Sequence, residues 1–386
     1  MTGDEDRTWL LRVIIVSVLS AGAVNGVRPM VSYRALALGA GPFELGLVAS
    51  SFSLFSMIMA MPIGRWVDRF GERRFIVAGC ILIAVGAVGA IVASSLWVLA
   101  ASQAVMGCGQ ILILVSAQAL VANRGPSSRR EERYGWYSTG ASLGQLIGPA
   151  TAAAIVGGAA AAAATVSGSA ASGRALDFVF ALGTVAGIVG AIVAFTLPGT
   201  IRRSQPEPTS GRLGTLRAAR RVVSRPGIKG AMFVSISVIS SIDALVAYLP
   251  LYGESVGLPI EFVTTLLALR AGASLVSRIF MGPAIAHLGR STLLVVSMTA
   301  AAIALVAVTL TAAPAALIVL LIAVGLGLGL GQPMTMAWVA NRSPRAERGT
   351  ALGVRLTGHR AALFVVPSLL GTVAGATGVA AIFWVL

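Results

Sequence analysis

A single acidic residue, Asp243, lies well inside an apolar run of this sequence, and most of the other ionisable groups in such runs are basic: Arg28, Arg270, Arg278, Arg355, His359 and Arg360. A carboxylate and an imidazole in an apolar setting can each carry a proton, so Asp243 and His359 are the candidates for proton coupling. Arginines bind carboxylate or phosphate in bidentate fashion, so five or six of them against one aspartate suit an anionic group. Asp243 stands about nine residues before the end of its apolar run and Arg270 about nine residues after the start of the next, so on antiparallel helices both lie roughly 14 Å below the same surface at helical rise. They are expected to pair, either as a tie broken by protonating Asp243 or as a static link between helices. Around them, Asn25, Tyr33, Gln103, Gln110, Tyr137, Gln145, Tyr248, Gln332 and Trp338 supply amides and rings for an amphiphilic organic molecule. Packing or interfacial anchoring is the competing role for the tyrosines and Trp338, and a hydrogen-bonded packing role competes for His359.

The elements that hold these residues are membrane helices. Mean hydropathy is +0.88 and only 11% of residues are charged, which places the chain outside the soluble class. Apolar runs predict helices at roughly 9–34, 43–66, 74–95, 97–122, 134–158, 176–198, 228–252, 261–286, 291–312, 314–339 and 347–372. A last run starts near 377 and stops at Leu386, short of a spanning length, so the expectation is a twelfth helix that either is truncated or, as favoured, continues in a longer protein. The fold class expected is an all-α polytopic membrane protein of two six-helix bundles. The bundles are residues 1–198 and 228–386, with a linker over 199–227. In the linker, Leu213, Leu216 and Val223 share a helical face opposite arginines, which suits either a helix on an anionic leaflet or a solvated basic loop. The Ala/Gly/Ser stretch over 157–173 reads as a frayed helix end with a loop.

The net charge of +15 follows the membrane rather than a nucleic acid. Arg65 to Arg74, Arg124 to Arg133, Arg202 to Lys229, Arg290 and Arg342 to Arg348 fall on one side, against little more than Arg34 and Arg174 on the other. The N-terminus is therefore expected in the cytoplasm of a plasma-membrane protein. Cys80 and Cys108 lie in apolar runs and form neither a disulfide framework nor a metal site. No nucleophile and base pair lies in a helix core, so no enzyme activity is expected, and no nucleotide-binding loop argues for an ATP-driven pump.

The chain also repeats itself. Adding 218 to Gly64, Gly71, Gly107 and Gly109 gives Gly282, Gly289, Gly325 and Gly327. The same shift takes Val121-Ala122-Asn123-Arg124 to Val339-Ala340-Asn341-Arg342, and Pro149 to Pro367. It also takes Asn25 to Asp243, so the halves have specialised.

The charged stretch Gly64 to Arg74, with Gly64, Asp68, Arg69, Gly71, Arg73 and Arg74, resembles the loop motif between the second and third helices of the major facilitator superfamily of secondary transporters. Gly140, Gly144, Gly148 and Pro149 resemble the fifth-helix motif of its drug and proton antiporters, with Ala152 and Ala153 in place of the last two glycines. The resemblance implies alternating access, a midplane substrate site and a gating role for Asp68. It implies no cofactor beyond a proton gradient, a small-molecule substrate, and a monomer in the bilayer. The small residues and Pro149 are expected where the two bundles rock past each other. Two positions depart from the pattern. Gln103 stands where those antiporters carry an arginine, and Ala286-His287 stand where Asp68-Arg69 stand in the first copy. Arg278 is expected to snorkel to the cytoplasmic end. The function expected is proton-coupled efflux of a small amphiphilic molecule, with an anionic group among the options. Uptake or exchange of organic anions is one alternative, and a membrane sensor or assembly factor is another.

Overall fold

The computed structural model describes residues 3–124, 130–163, 170–199, 224, 227–342 and 348–386. The face of the linker carrying Leu213, Leu216 and Val223 lies outside them. Among the described residues there are thirteen helices and no strand. They are α1 (Gly3–Ala37), α2 (Pro42–Phe70), α3 (Glu72–Ile91), α4 (Leu96–Asn123), α5 (Arg130–Ala163), α6 (Ala170–Phe195), α7 (Ile228–Ser255), α8 (Ile260–Ile279), α9 (Met281–Leu288), α10 (Arg290–Val308), α11 (Pro314–Arg342), α12 (Arg348–Thr377) and α13 (Ala381–Val385). Ten have stretches long and apolar enough to cross a bilayer. The outward faces of α3, α6 and α10 carry Ile81, Val85, Ile188, Ile192, Val295 and Ile303, all exposed, as a surface solvated by lipid requires.

The boundaries depart from expectation at three places. The charged stretch is not a loop: α2 continues to Phe70 and α3 begins at Glu72, leaving Gly71 alone as the junction. Its φ of 94° permits so short a reversal, since that region is strained for any residue with a Cβ. α5 extends to Ala163, past the point where its alanine- and glycine-rich end was expected to fray. The eighth span is broken at Phe280 into α8 and α9. Pro283 has no N–H to offer the Ile279 carbonyl four residues back, which accounts for the break.

The sequence repeat is also a repeat of contacts. Gly107 of α4 meets the Phe52 carbonyl of α2, and a Cβ there would stand 1.6 Å from it. Shifted by 218, Gly325 of α11 meets the Arg270 carbonyl of α8, and a Cβ would stand 2.2 Å from it. Gly109 against Gly79 and Gly327 against Ser297 match in the same way. The positive-φ turns pair too, Gly39 with Gly257 and Gly71 with Gly289.

Two seams join the halves, α2 against α12 and α5 against α8, with α1 also touching α7. The turns at Gly39, Ser95, Gly257 and Ala313 lie on one end of the bundle, here the Gly41 face. Gly71, Gly227 and Gly289 lie on the other, the Gly71 face.

Candidate functional site

Asp243 is 5% exposed, and its partner is Arg28 of α1, bonded from Nη1 to Oδ1. The expected pairing with Arg270 is not formed. Depth alone does not fix the direction a side chain faces: α7 packs mainly on α12, α11 and α1, whereas α8 packs on α11 and α5. Arg270 is buried on α8 within electrostatic reach of Arg278, and its Nε finds no hydrogen-bond partner. The guanidinium of Arg28 also stacks over Phe52 of α2, 4.3 Å from the ring centroid, a contact that desolvation strengthens. Arg360 of α12 lies within electrostatic reach of both Asp243 and Arg28. It is buried, and its Nε and Asp243 Oδ2 both lack hydrogen-bond partners. A charge cluster of two arginines and one aspartate is thus drawn from α1, α7 and α12, that is, from both halves.

A second polar group lies in the second half. His359 Nε2 is 2.6 Å from Ser235 Oγ, and the Ser235 carbonyl accepts from Gln332 Nε2 at 3.2 Å. Arg355 Nη2 donates to Gln332 Oε1 at 2.5 Å and to Thr335 Oγ1 at 3.3 Å. His359 sits within electrostatic reach of Arg355 and Arg360, so the two groups adjoin. Ser235, Thr335 and Phe52 were not singled out from sequence.

Other expected cavity residues fall elsewhere. Tyr248 is fully buried and donates to the Pro367 carbonyl at 2.5 Å, filling the space between Gly46 of α2 and Gly371 of α12. Tyr33 lies near Glu254 and Glu261, close to the Gly41 face. Trp338 lies at the opposite end, beside Gly227 and packed on the Ile228, Val339 and Ala351 cluster. Each stands near a helix end, where it packs or anchors instead of lining a midplane site. Asn25 donates to the Ala21 carbonyl of its own helix at 2.8 Å. Gln103 is buried with Nε2 unpartnered, and half-buried Gln110 leaves Oε1 unpartnered. Gln145 is half-buried on α5. Arg278 does not snorkel: it donates to Ser142 Oγ of α5 at 2.6 Å and to the Gly329 carbonyl at 3.2 Å, tying the second seam. Nothing is described of the Asp68 or Gly64 surroundings.

The fifth-helix glycines also face a different neighbour. Gly140, Gly144 and Gly148 press on Ile14, Val18, Gly22 and Gly26 of α1, inside the first half. The seam with α8 is made by other residues of α5, including Leu146, Ala150 and Gly157.

The family profile described as Major Facilitator Superfamily matches residues 13–273 and 256–386. The chain belongs to the Major Facilitator Superfamily. That superfamily is one of membrane transporters and not of enzymes. Multidrug resistance protein 2 of Bacillus subtilis (strain 168) is 26% identical over 148 residues, 38% of this chain and 36% of that protein. Multidrug resistance protein Stp of Mycobacterium tuberculosis (strain CDC 1551 / Oshkosh) is 29% identical over 160 residues, 39% of this chain and 29% of that protein. The matched region spans roughly a third of the length of these curated relatives. Among solved structures, a D-xylose-proton symporter superposes with a TM-score of 0.74 at 14% identity, covering 98% of this chain and 95% of that one. A bacterial homologue of the lysosomal transporter Spinster gives 0.72 at 18%, covering 97% and 84%. At such identities these superpositions establish the superfamily's shared fold.

Proposed function

We propose that this superfamily member is a proton-coupled exporter of small amphiphilic organic molecules, with Asp243 as the group that takes up and releases the coupling proton. The observation that carries the reading is the Arg28–Asp243 pair, buried and formed between the two halves. Removing one charge of a buried pair costs about 3–5 kcal/mol. Moving a two-state equilibrium from 1:99 to 99:1 takes about 5.5 kcal/mol, so protonation at this one pair shifts the balance of states substantially. The names of the curated relatives support export. The proton gradient is the energy source, with no further cofactor. The reading places a monomer in the plasma membrane with the Gly71 face and the N-terminus in the cytoplasm, on the arginine bias of that face.

A second reading, uptake or exchange of organic anions, is favoured by Arg360, a buried guanidinium beside the pair with Nε unpartnered. The two are separated by drug and organic-acid susceptibility of a host expressing wild type or Asp243→Asn at matched membrane levels. Resistance given by the wild type and lost in the variant supports the exporter. Resistance kept by the variant reduces Asp243 to a structural tie. No resistance in either, with counterflow of a labelled organic anion in proteoliposomes that Arg360→Ala abolishes, transfers the assignment to anion exchange.

A further inference from the structure

On the Gly71 face, between the start of α3 and the end of α6, lies a cavity of about 800 Å³ away from the charged centre. Arg69, Arg73 and Arg74 line it together with Val77, Ile81 and Phe195. Arg73 stacks over Phe195 at 4.4 Å from the ring centroid, which holds its guanidinium at the edge of an apolar surface. None of the three arginines has a carboxylate partner among the described residues. Glu72, which lies among them in sequence, is buried and turned to α4, accepting from Asn123 Nδ2 at 3.2 Å. The apolar lining runs on into the lipid-facing stripes of the same helices: Ile81 is 49% exposed, Val85 53% and Ile192 62%.

We propose that this cavity binds an anionic phospholipid of the leaflet on the Gly71 face, its phosphate held by Arg69, Arg73 and Arg74 and one acyl chain lying along Ile81 between α3 and α6. The inference goes beyond the transport reading and stands without it, since it needs only the bilayer. Charge complementarity selects the occupant. A free phosphate would leave the apolar lining unused, whereas a phospholipid satisfies both parts at the depth where headgroup and acyl region meet.

The test is native mass spectrometry of the full chain in detergent, titrated with phosphatidylglycerol, phosphatidylcholine or inorganic phosphate. The wild type is expected to retain one phosphatidylglycerol under activation that strips phosphatidylcholine. Each arginine at an anionic lipid surface is worth roughly fivefold, so Arg69→Gln, Arg73→Gln and Arg74→Gln together should weaken retention on the order of a hundredfold. Ile81→Trp fills the cavity at a lipid-exposed position and leaves the rim intact, so it should lose the lipid even if the triple variant does not fold. Equal retention of the two lipids by the wild type, or undiminished phosphatidylglycerol binding by Ile81→Trp, overturns the proposal. So does inorganic phosphate that displaces the lipid from the wild type, because the site would then be one for the free ion.

Discussion

Asp243 could be found in the sequence because a carboxylate deep in an apolar run has no cheap solvation. Its partner could not be found by depth, which fixes height along the membrane normal and leaves direction free. The repeat held the missing information. Asn25 is the counterpart of Asp243, and Arg28 lies one helical turn beyond it on the facing half. The pair makes a sharp energetic prediction at this scale. Arg28→Ala leaves a buried carboxylate unpaired and should destabilise the protein by about 3–5 kcal/mol, less whatever Arg360 restores. Replacing both partners, Arg28→Met with Asp243→Leu, should cost less than the single change, because no charge is then stranded. Thermal denaturation of the purified variants measures the difference. Additive losses would mean that the two side chains do not interact. Serines and threonines at the site were harder to read, because Ser235 and Thr335 look like ordinary small helix residues until His359 and Arg355 are seen against them.

Helices were legible because a bilayer demands about 20 apolar residues per crossing, and that demand shows directly in the chain. Their ends were less so. Apolar run length stops counting at the first charge, but α2 keeps winding through Arg69 because the helix needs its backbone bonds satisfied to the junction at Gly71. Pro283 signals the break at Phe280, but apolar run length does not register it, because the run stays apolar on both sides. Glycine packing gives the prediction at this scale. Gly107→Ala and Gly325→Ala each drive a Cβ into the carbonyl of a neighbouring helix, Phe52 and Arg270 respectively. Overpacking of this kind costs about 1–3 kcal/mol or more, so both variants should melt earlier, by comparable amounts in the two halves. Gly135→Ala meets nothing within 4 Å and should be neutral or slightly stabilising. Equal melting of all three would mean that the paired α2–α4 and α8–α11 contacts do not carry the fold. Gly144→Ala belongs to the same class. A Cβ there would stand 2.4 Å from the Val18 carbonyl, so its effect should appear as a less stable first half, because the fifth-helix glycines face α1 and not the other bundle.

For the whole molecule, α2 and α12 close the two halves against each other on the Gly41 side. Ser50 Oγ of α2 is 2.8 Å from Ser368 Oγ of α12, and Tyr248 fills the gap between Gly46 and Gly371 beside them. On the other seam, Arg278 reaches Ser142 across α8 and α5. Alternating access requires one such closure to open in each cycle, with the halves moving as packed bodies rather than bending continuously. The serine contact is short enough that two cysteines would need little rotation to reach the ~2.05 Å of a disulfide. In a background with Cys80 and Cys108 replaced by alanine, Ser50→Cys with Ser368→Cys should cross-link under mild oxidant. The linked protein should lose substrate flux in proteoliposomes, and reductant should restore it, while either single variant should transport throughout. Flux that persists in the linked protein would mean that α2 and α12 do not separate on the Gly41 side during the cycle. The coupling assigned to Arg28–Asp243 would then have to act through the α5–α8 seam and its Arg278–Ser142 bond, because the first seam would be a fixed hinge.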